Sequence, residues 1–151
     1  MKVFDSLQQV QNWVGQEALL GDWLMVTQEQ INQFAKATGD EQWIHVDEAR
    51  AQSGPFGTTI AHGFLTLSLL PKLSATAFQI RGARLGVNYG LNKVRFTAPV
   101  PVNSRLRARL VLKSCDPLEG NGIQLTWSTT VEREGSDKPV CVAESLTRWY
   151  A

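Results

Sequence analysis

The architecture of this chain follows from the stretch His62-Gly63-Phe64-Leu65-Thr66-Leu67-Ser68-Leu69-Leu70-Pro71-Lys72-Leu73. Its apolar residues occupy nearly every side of a helix, which predicts a helix that is buried almost all round. The run is far shorter than the ~20 residues that a membrane span requires. Other parts of the chain must therefore cover this helix.

The second half of the chain predicts the covering element. In residues 105–112, three arginines alternate with apolar residues, and residues 123–131 repeat the alternation. A period of two indicates half-buried strands of an antiparallel sheet. Residues 86–97 and 140–150 predict two more strands, with glycine-containing turns between strands. The expected fold class is α+β, an antiparallel sheet wrapped around a central apolar helix.

The first half predicts short helices. Thr27 and Gln30 have the spacing of a capping box, and Gly39 is a natural helix end. Asp47 is a candidate N-cap for a second helix, and residues 53–57 have the composition of a turn.

Composition limits what the protein can be. The chain has 151 residues with a formal net charge of +1, which suits one domain spanning 1–151 and does not favour a nucleic-acid partner. Without a signal segment, a soluble cytoplasmic protein is expected, with no membrane partner. Cys115 and Cys141 lack metal or redox spacing, so they are expected to be small apolar residues without a disulfide.

Asp40 and His45 form a candidate acid/base pair, because a carboxylate and an imidazole follow a helix end five positions apart. The alternatives are an Asx turn at Asp40 and a structural histidine at His45. His62 is the only other histidine, and Gly63 begins the apolar helix. A helix start presents free N–H groups to a developing oxyanion, so the set suits chemistry next to a carbonyl.

A metal site is a further alternative at this point of the chain. Asp40, His45, Asp47 and His62 are metal-ligating residue types. Their spacing matches no zinc pattern, so no metal is expected.

The sequence resembles a known family at these residues. The order Gly39-Asp40-x-x-x-x-His45, then Gly-Pro-Phe-Gly at 54–57, then Ile60-Ala61-His62-Gly63-Phe64 is similar to the hydratase motif of the MaoC-like family. Residues 88–96 resemble the family's strand after the central helix. The resemblance implies a hot-dog fold, a homodimer, and an acyl-CoA substrate of an (R)-specific enoyl-CoA hydratase.

The resemblance also implies site residues. Asp40 and His45 match the catalytic dyad, and Gly63 matches the glycine whose N–H receives the thioester oxygen. His62, Gln42 and Asn88 complete the expected substrate-binding set. Many family members have Asn-Pro where this chain has Gln42-Trp43, which leaves the acyl-chain preference open.

The expected activity is a hydro-lyase reaction in fatty-acid metabolism, the reversible hydration of trans-2-enoyl thioesters. No metal or redox cofactor is expected, since CoA is part of the substrate. The alternatives are a non-catalytic acyl-thioester-binding module of the nodulation-protein type and a hot-dog thioesterase. Lys93, Arg95, Arg81 and Arg84 are candidates for the CoA phosphates or simply solvated charges. A Gly63→Ala change is expected to keep thermal stability unless Gly63 packs against a neighbour.

Overall fold

The computed structural model describes residues 1–151 and contains eight strands and six helices. In chain order these are β1 (Lys2–Phe4), α1 (Leu7–Gln11), β2 (Leu19–Leu20), β3 (Leu24–Met25), α2 (Gln28–Thr38), α3 (Trp43–Val46), α4 (Glu48–Gln52), α5 (Gly63–Ser68), α6 (Leu70–Ala77), β4 (Phe78–Ile80), β5 (Leu85–Phe96), β6 (Arg105–Leu118), β7 (Gly122–Arg133) and β8 (Cys141–Tyr150).

The main sheet is antiparallel and confirms the predicted fold class. Its strand order is β2-β6-β7-β8-β5, and β3 pairs with β6 beside β2. The three strands β6, β7 and β8 follow one another along the chain and along the sheet, while β5 joins the outer edge of β8. The short strands β1 and β4 form a separate parallel pair.

The alternation predicted for the sheet is confirmed by burial. On β6 the residues Leu106, Ala108, Leu110 and Leu112 are buried, and the arginines between them face outward. On that outer face Glu132 of β7 accepts from both Arg107 and Arg109. The inner face carries most of the apolar core.

The central helix differs from the prediction in two ways. It is interrupted at Leu69, because Pro71 has no N–H to donate to the carbonyl of Leu67 and its ring crowds that carbonyl. It is also buried on one side rather than all round, since Phe64 is 68% exposed. The sheet covers only the side that carries Leu65, Leu70, Leu73 and Ala77, so the prediction of a helix buried almost all round is wrong.

The two helices predicted for the first half are confirmed, and two more are present. Thr27 and Gln30 form both hydrogen bonds of the capping box, and Gly39 ends α2 with a left-handed φ of 80°. The side chain of Asp47 caps α4 by accepting from the N–H of Arg50. Two helices were not predicted: α1 near the start of the chain, and α3, a single helical turn that carries His45.

Both cysteines are free thiols on strands of the main sheet. Cys141 is buried, and this burial raises the pKa of its thiol to about 11. Cys115 is half-buried, and burial raises its pKa as well. Separately, none of the helices has the length and apolar character needed to cross a bilayer.

Candidate active site

His45 lies in the middle of α3 and is buried, with 6% of its surface exposed. Its Nδ1 lies 2.7 Å from the carbonyl oxygen of Ile60. A carbonyl only accepts hydrogen bonds, so Nδ1 carries the proton in neutral His45 and Nε2 carries the free lone pair.

The main chain around Ile60 keeps this ring in its orientation. The N–H of Ile60 donates to the carbonyl of Ile44 at 3.0 Å, one residue before the histidine. On either side of Ile60, the N–H of Ala61 donates to Val100 and the carbonyl of Thr59 accepts from Val102. These backbone bonds tie α3 to the segment that follows β5.

A side chain from α2 supports the same region. Gln28 donates from its Nε2 to the carbonyl of His45 at 2.8 Å, and its Oε1 accepts from the hydroxyl of Thr59. Thr59 is 1% exposed, so this contact is shielded from water. Nothing in the sequence pattern marks Gln28 or Thr59 as site residues.

Asp40 follows Gly39 at the end of α2 and is exposed. Its carboxylate oxygen and the ring nitrogens of His45 and His62 lie within 4.8 Å of one another. No hydrogen bond joins the carboxylate to His45 directly. Both groups are close enough to bond to one shared water molecule, since each such bond spans about 2.5–3.0 Å.

His62 lies behind this pair and is 2% exposed. Its Nε2 donates to the main-chain carbonyl of Asp40 at 2.9 Å, and its ring stacks on His45 with centroids 3.8 Å apart and planes 23° apart. Its Nδ1 is buried without a hydrogen-bond partner.

The cluster of Asp40, His45 and His62 contains three potential metal ligands. A metal ion lies in the plane of each imidazole that binds it, about 2.0–2.1 Å from the nitrogen. Two rings stacked at 3.8 Å and nearly parallel cannot both meet that condition. The geometry therefore disfavours a shared metal ligated by both histidines.

The environment of His45 shifts its ionisation. Burial lowers the pKa of His45 below the usual value, and the neighbouring His62 lowers it further. The hydrogen bond to Ile60 and the charge of Asp40 act in the opposite direction without cancelling the effect of burial. The ring is therefore held in its neutral form to lower pH than a free imidazole.

A cavity of about 370 Å³ opens in front of the ring, and both His45 and Gly63 line it. Gly63 is the first residue of α5, where no carbonyl within the helix can accept from its N–H. Phe56, Thr66 and Phe96 line the same cavity. His45 and the first residue of α5 thus border one space.

Two other predicted site residues, Gln42 and Asn88, do not bring a side chain to the pair. Gln42 precedes α3 and its carbonyl accepts from the N–H of His45 at 3.0 Å, but its side chain is exposed and makes no capping hydrogen bond. Asn88 lines a larger cavity of about 930 Å³, which shares no lining residue with the first. Trp43 packs against Gly54 with the Arg50 guanidinium 4.3 Å from its ring, which anchors the loop.

Comparison with known proteins identifies the family to which this chain belongs. The model of the MaoC-like domain matches residues 9–134. The chain is 54% identical over 151 residues to 3-hydroxyacyl-thioester dehydratase Z of Mycobacterium tuberculosis (strain ATCC 25618 / H37Rv), covering 100% of both proteins. It is 44% identical over 144 residues to Nodulation protein N of Rhizobium leguminosarum bv. viciae, covering 94% of this chain and 89% of that protein.

Solved structures include a similar fold in R-hydratase PhaJ1 from Pseudomonas aeruginosa, with a TM-score of 0.68 and 25% identity over 87% of this chain and 80% of that one. The chain belongs to the MaoC-like dehydratase family, with the hot-dog fold and the enzyme class of a hydro-lyase.

The ionisation of His45 predicts how stability depends on pH. The histidine of the unfolded chain titrates near pH 6.5, while the folded chain keeps His45 neutral below that value. The unfolded state therefore binds more protons as pH falls below about 6.5, and stability decreases. Lowering the pH from about 7.5 to about 5.5 should reduce the free energy of unfolding more in the wild type than in His45→Gln, which lacks this group. Urea unfolding at the two pH values measures both losses. Equal losses in both proteins would contradict the assignment.

The neighbourhood of Gly63 corrects the expectation for Gly63→Ala. A Cβ at this position would lie 2.6 Å from Cδ2 of Phe96, so the variant should lose thermal stability as well as activity. Adding Phe96→Leu removes the ring and should restore the melting temperature. If Gly63 must stay open for the substrate, kcat should remain low compared with Phe96→Leu alone. Recovery of kcat in the double variant would show that only the clash with Phe96 mattered.

Proposed function

We propose that this protein is an (R)-specific enoyl-thioester hydratase, which adds water reversibly to trans-2-enoyl-CoA and forms (R)-3-hydroxyacyl-CoA. The observation that carries the proposal is that the Asp40 carboxylate lies within 4.8 Å of a His45 ring nitrogen, while His45 and Gly63 line one cavity. The name of the 54% identical mycobacterial relative, a 3-hydroxyacyl-thioester dehydratase, supports the same chemistry in the reverse direction.

In the proposed mechanism, the water held between Asp40 and His45 attacks C3 of the enoyl group. The dyad takes up a proton from this water and returns a proton to C2, so it ends in its starting state. Because the two groups lie within 4.8 Å of each other, the acid and base roles are assigned to the pair and not to either residue alone.

Charge develops on the thioester oxygen as C3 is attacked. The free N–H of Gly63 is the proposed donor to that oxygen, since it faces the same cavity as His45. A preorganised donor of this kind contributes about 2.7–4 kcal/mol to transition-state stabilisation in enzymes where one has been removed. The reaction as proposed uses no metal or redox cofactor.

Exposed cations near β5 are candidates for contact with the CoA phosphates. Lys93 lies on this strand and forms no ion pair. Arg95 donates one hydrogen bond from its guanidinium group to the carbonyl of Val94. Arg84 is unpaired as well, whereas Arg81 is paired with Asp5 at 3.3 Å. Lys93, Arg95 and Arg84 therefore suit phosphate recognition better than Arg81.

A homodimer is the proposed assembly. The twelve-residue strand β5 forms one edge of the main sheet, and nearly all of its residues are exposed. A long unpaired edge with apolar side chains favours pairing with another chain. The exposed apolar residues on β5 and beside it are Phe64, Leu85, Val87, Tyr89, Leu91 and Phe96. A second copy that covers this patch would form an isologous contact.

The relatives named Nodulation protein N support a second candidate, an acyl-thioester-binding module without turnover. A hot-dog thioesterase is a third reading of the fold. Loss of enoyl-thioester absorbance across short to long chains, with chiral analysis of the product, separates the three. Hydration gives a chiral 3-hydroxyacyl thioester, hydrolysis gives free thiol, and a binding module gives neither.

The dyad assignment predicts the behaviour of two nearly isosteric variants. Asp40→Asn and His45→Gln should each lower kcat by at least ~10²-fold, the lower end for general acid–base catalysis. Asp40 is exposed and makes no side-chain hydrogen bond, so Asp40→Asn should keep the wild-type melting temperature. A folded Asp40→Asn protein with wild-type turnover would disprove the proposed mechanism.

The assembly predicts a species near twice 16.8 kDa in sedimentation at micromolar concentration. Val87→Lys places a charge on the exposed edge and should shift the protein towards monomer. Leu20→Lys is the matched control, because Leu20 is 42% exposed against 43% for Val87 but lies on β2 at the other side of the sheet. A wild-type monomer with full activity would overturn the proposal.

A further inference from the structure

We propose that His62 is a positioning residue that holds Asp40 at its working distance from His45. This inference rests on the proposed function of the dyad. His62 contacts both members: its Nε2–H donates to the main-chain carbonyl of Asp40 at 2.9 Å, and its ring stacks on His45 at 3.8 Å. No other side chain in the structure makes both contacts.

Asp40 needs such support because its own side chain is not anchored. The carboxylate is exposed and accepts no hydrogen bond from a protein group, and the preceding Gly39 has a left-handed φ of 80°. Its position therefore depends on its main chain. The N–H of Asp40 makes a long bond of 3.4 Å to the hydroxyl of Thr38, so the shorter bond from His62 is the stronger of the two.

The other contacts of His62 fix the ring from which this bond is donated. Phe34 packs against it with centroids 4.9 Å apart and planes 55° apart. Phe34 belongs to α2, the helix that leads into Asp40. The ring of His62 therefore packs between α2 and α3, and its contacts with Phe34 and His45 fix the two helices relative to each other.

Several observations separate this role from direct catalysis. His62 is 2% exposed and does not line the cavity that contains His45 and Gly63. Its Nε2 is occupied by Asp40, and its Nδ1 is buried without a partner. A group without access to substrate cannot exchange a proton with it, so His62 acts through Asp40.

The orphaned Nδ1 makes a discriminating variant available. His62→Phe keeps an aromatic ring between Phe34 and His45, removes the unpartnered nitrogen and removes the donor to Asp40. Its melting temperature should stay level or rise, because a buried polar atom without a partner destabilises the fold and water can reach the exposed Asp40. Its kcat should fall by about 10-fold or more with KM little changed, since a displacement of ~1 Å costs ~10²-fold in such sites.

His62→Gln tests the hydrogen bond separately. It retains an amide donor of similar reach and loses the aromatic ring, so it should recover part of the kcat that His62→Phe loses. If both variants fold and His62→Gln is no faster than His62→Phe, the bond to Asp40 does not carry the effect, and the proposal is overturned. The same conclusion follows if His62→Phe folds and keeps wild-type kcat.

A double-mutant cycle with Asp40→Asn gives a readout that a purely structural role would not move. If His62 acts through Asp40, the Asp40→Asn change should cost less in the His62→Phe background than in the wild type. Fully additive losses would contradict the proposal. The single variant Asp40→Asn separates a failure of the proposed function from a failure of the positioning role. Wild-type turnover in that variant would disprove the catalytic dyad itself.

Trp13→Phe is the matched control for the loss of an orphaned nitrogen. Its Nε1 is also buried without a partner, and the residue packs against Phe4 away from the dyad. The change should leave kcat at the wild-type value whatever it does to the melting temperature. A fall in kcat equal to that of His62→Phe would mean that turnover follows general stability and would overturn the positioning role.

Discussion

The hydrogen bonds of the Ile60 peptide are the constraint on which the site depends. Its N–H binds the carbonyl of Ile44 and its carbonyl binds the ring of His45, so both polar groups of one peptide hold one turn of helix. The residues on either side are bound to Val100 and Val102. Because these partners are main-chain atoms, the tautomer of His45 is determined by the course of the backbone and not by a replaceable side chain.

The elements that were predictable from the sequence are those with local causes. The alternation in β6 and β7 reflects one buried face, and the capping box at Thr27 uses residues three positions apart. The strands β2 and β3 have two residues each and exist because they pair with β6, more than eighty positions along the chain. A pattern of side chains carries no signal for such pairing. The one-sided burial of the central helix was missed for a similar reason, since it depends on how far the sheet extends.

The site was predictable in its residue types and less so in its contacts. The spacing of Asp40 and His45 and the helix start at Gly63 pointed to residues that the fold does bring close together, with the family resemblance adding specificity. The partner of His62 is the backbone of Asp40, which no side-chain pattern can indicate. Phe96 lies thirty-three positions after Gly63, so the packing of its ring against that glycine could not be predicted from the sequence either. Gln42 and Asn88 were expected beside the dyad from the resemblance; Gln42 reaches His45 only through its main-chain carbonyl, and Asn88 lines a different cavity.

The position of the site along the chain has a consequence for biosynthesis. Asp40, His45, His62 and Gly63 all emerge from a ribosome before any of the long strands β5 to β8. The backbone bonds that hold the Ile60 segment, however, come from Val100 and Val102, beyond the end of β5. A nascent chain arrested before residue 100 would contain every group of the proposed chemistry and lack the two backbone bonds that tie the Ile60 segment to the rest of the fold. The candidate active centre is thus translated early, while its backbone attachment to the segment after β5 forms only once that segment has been made.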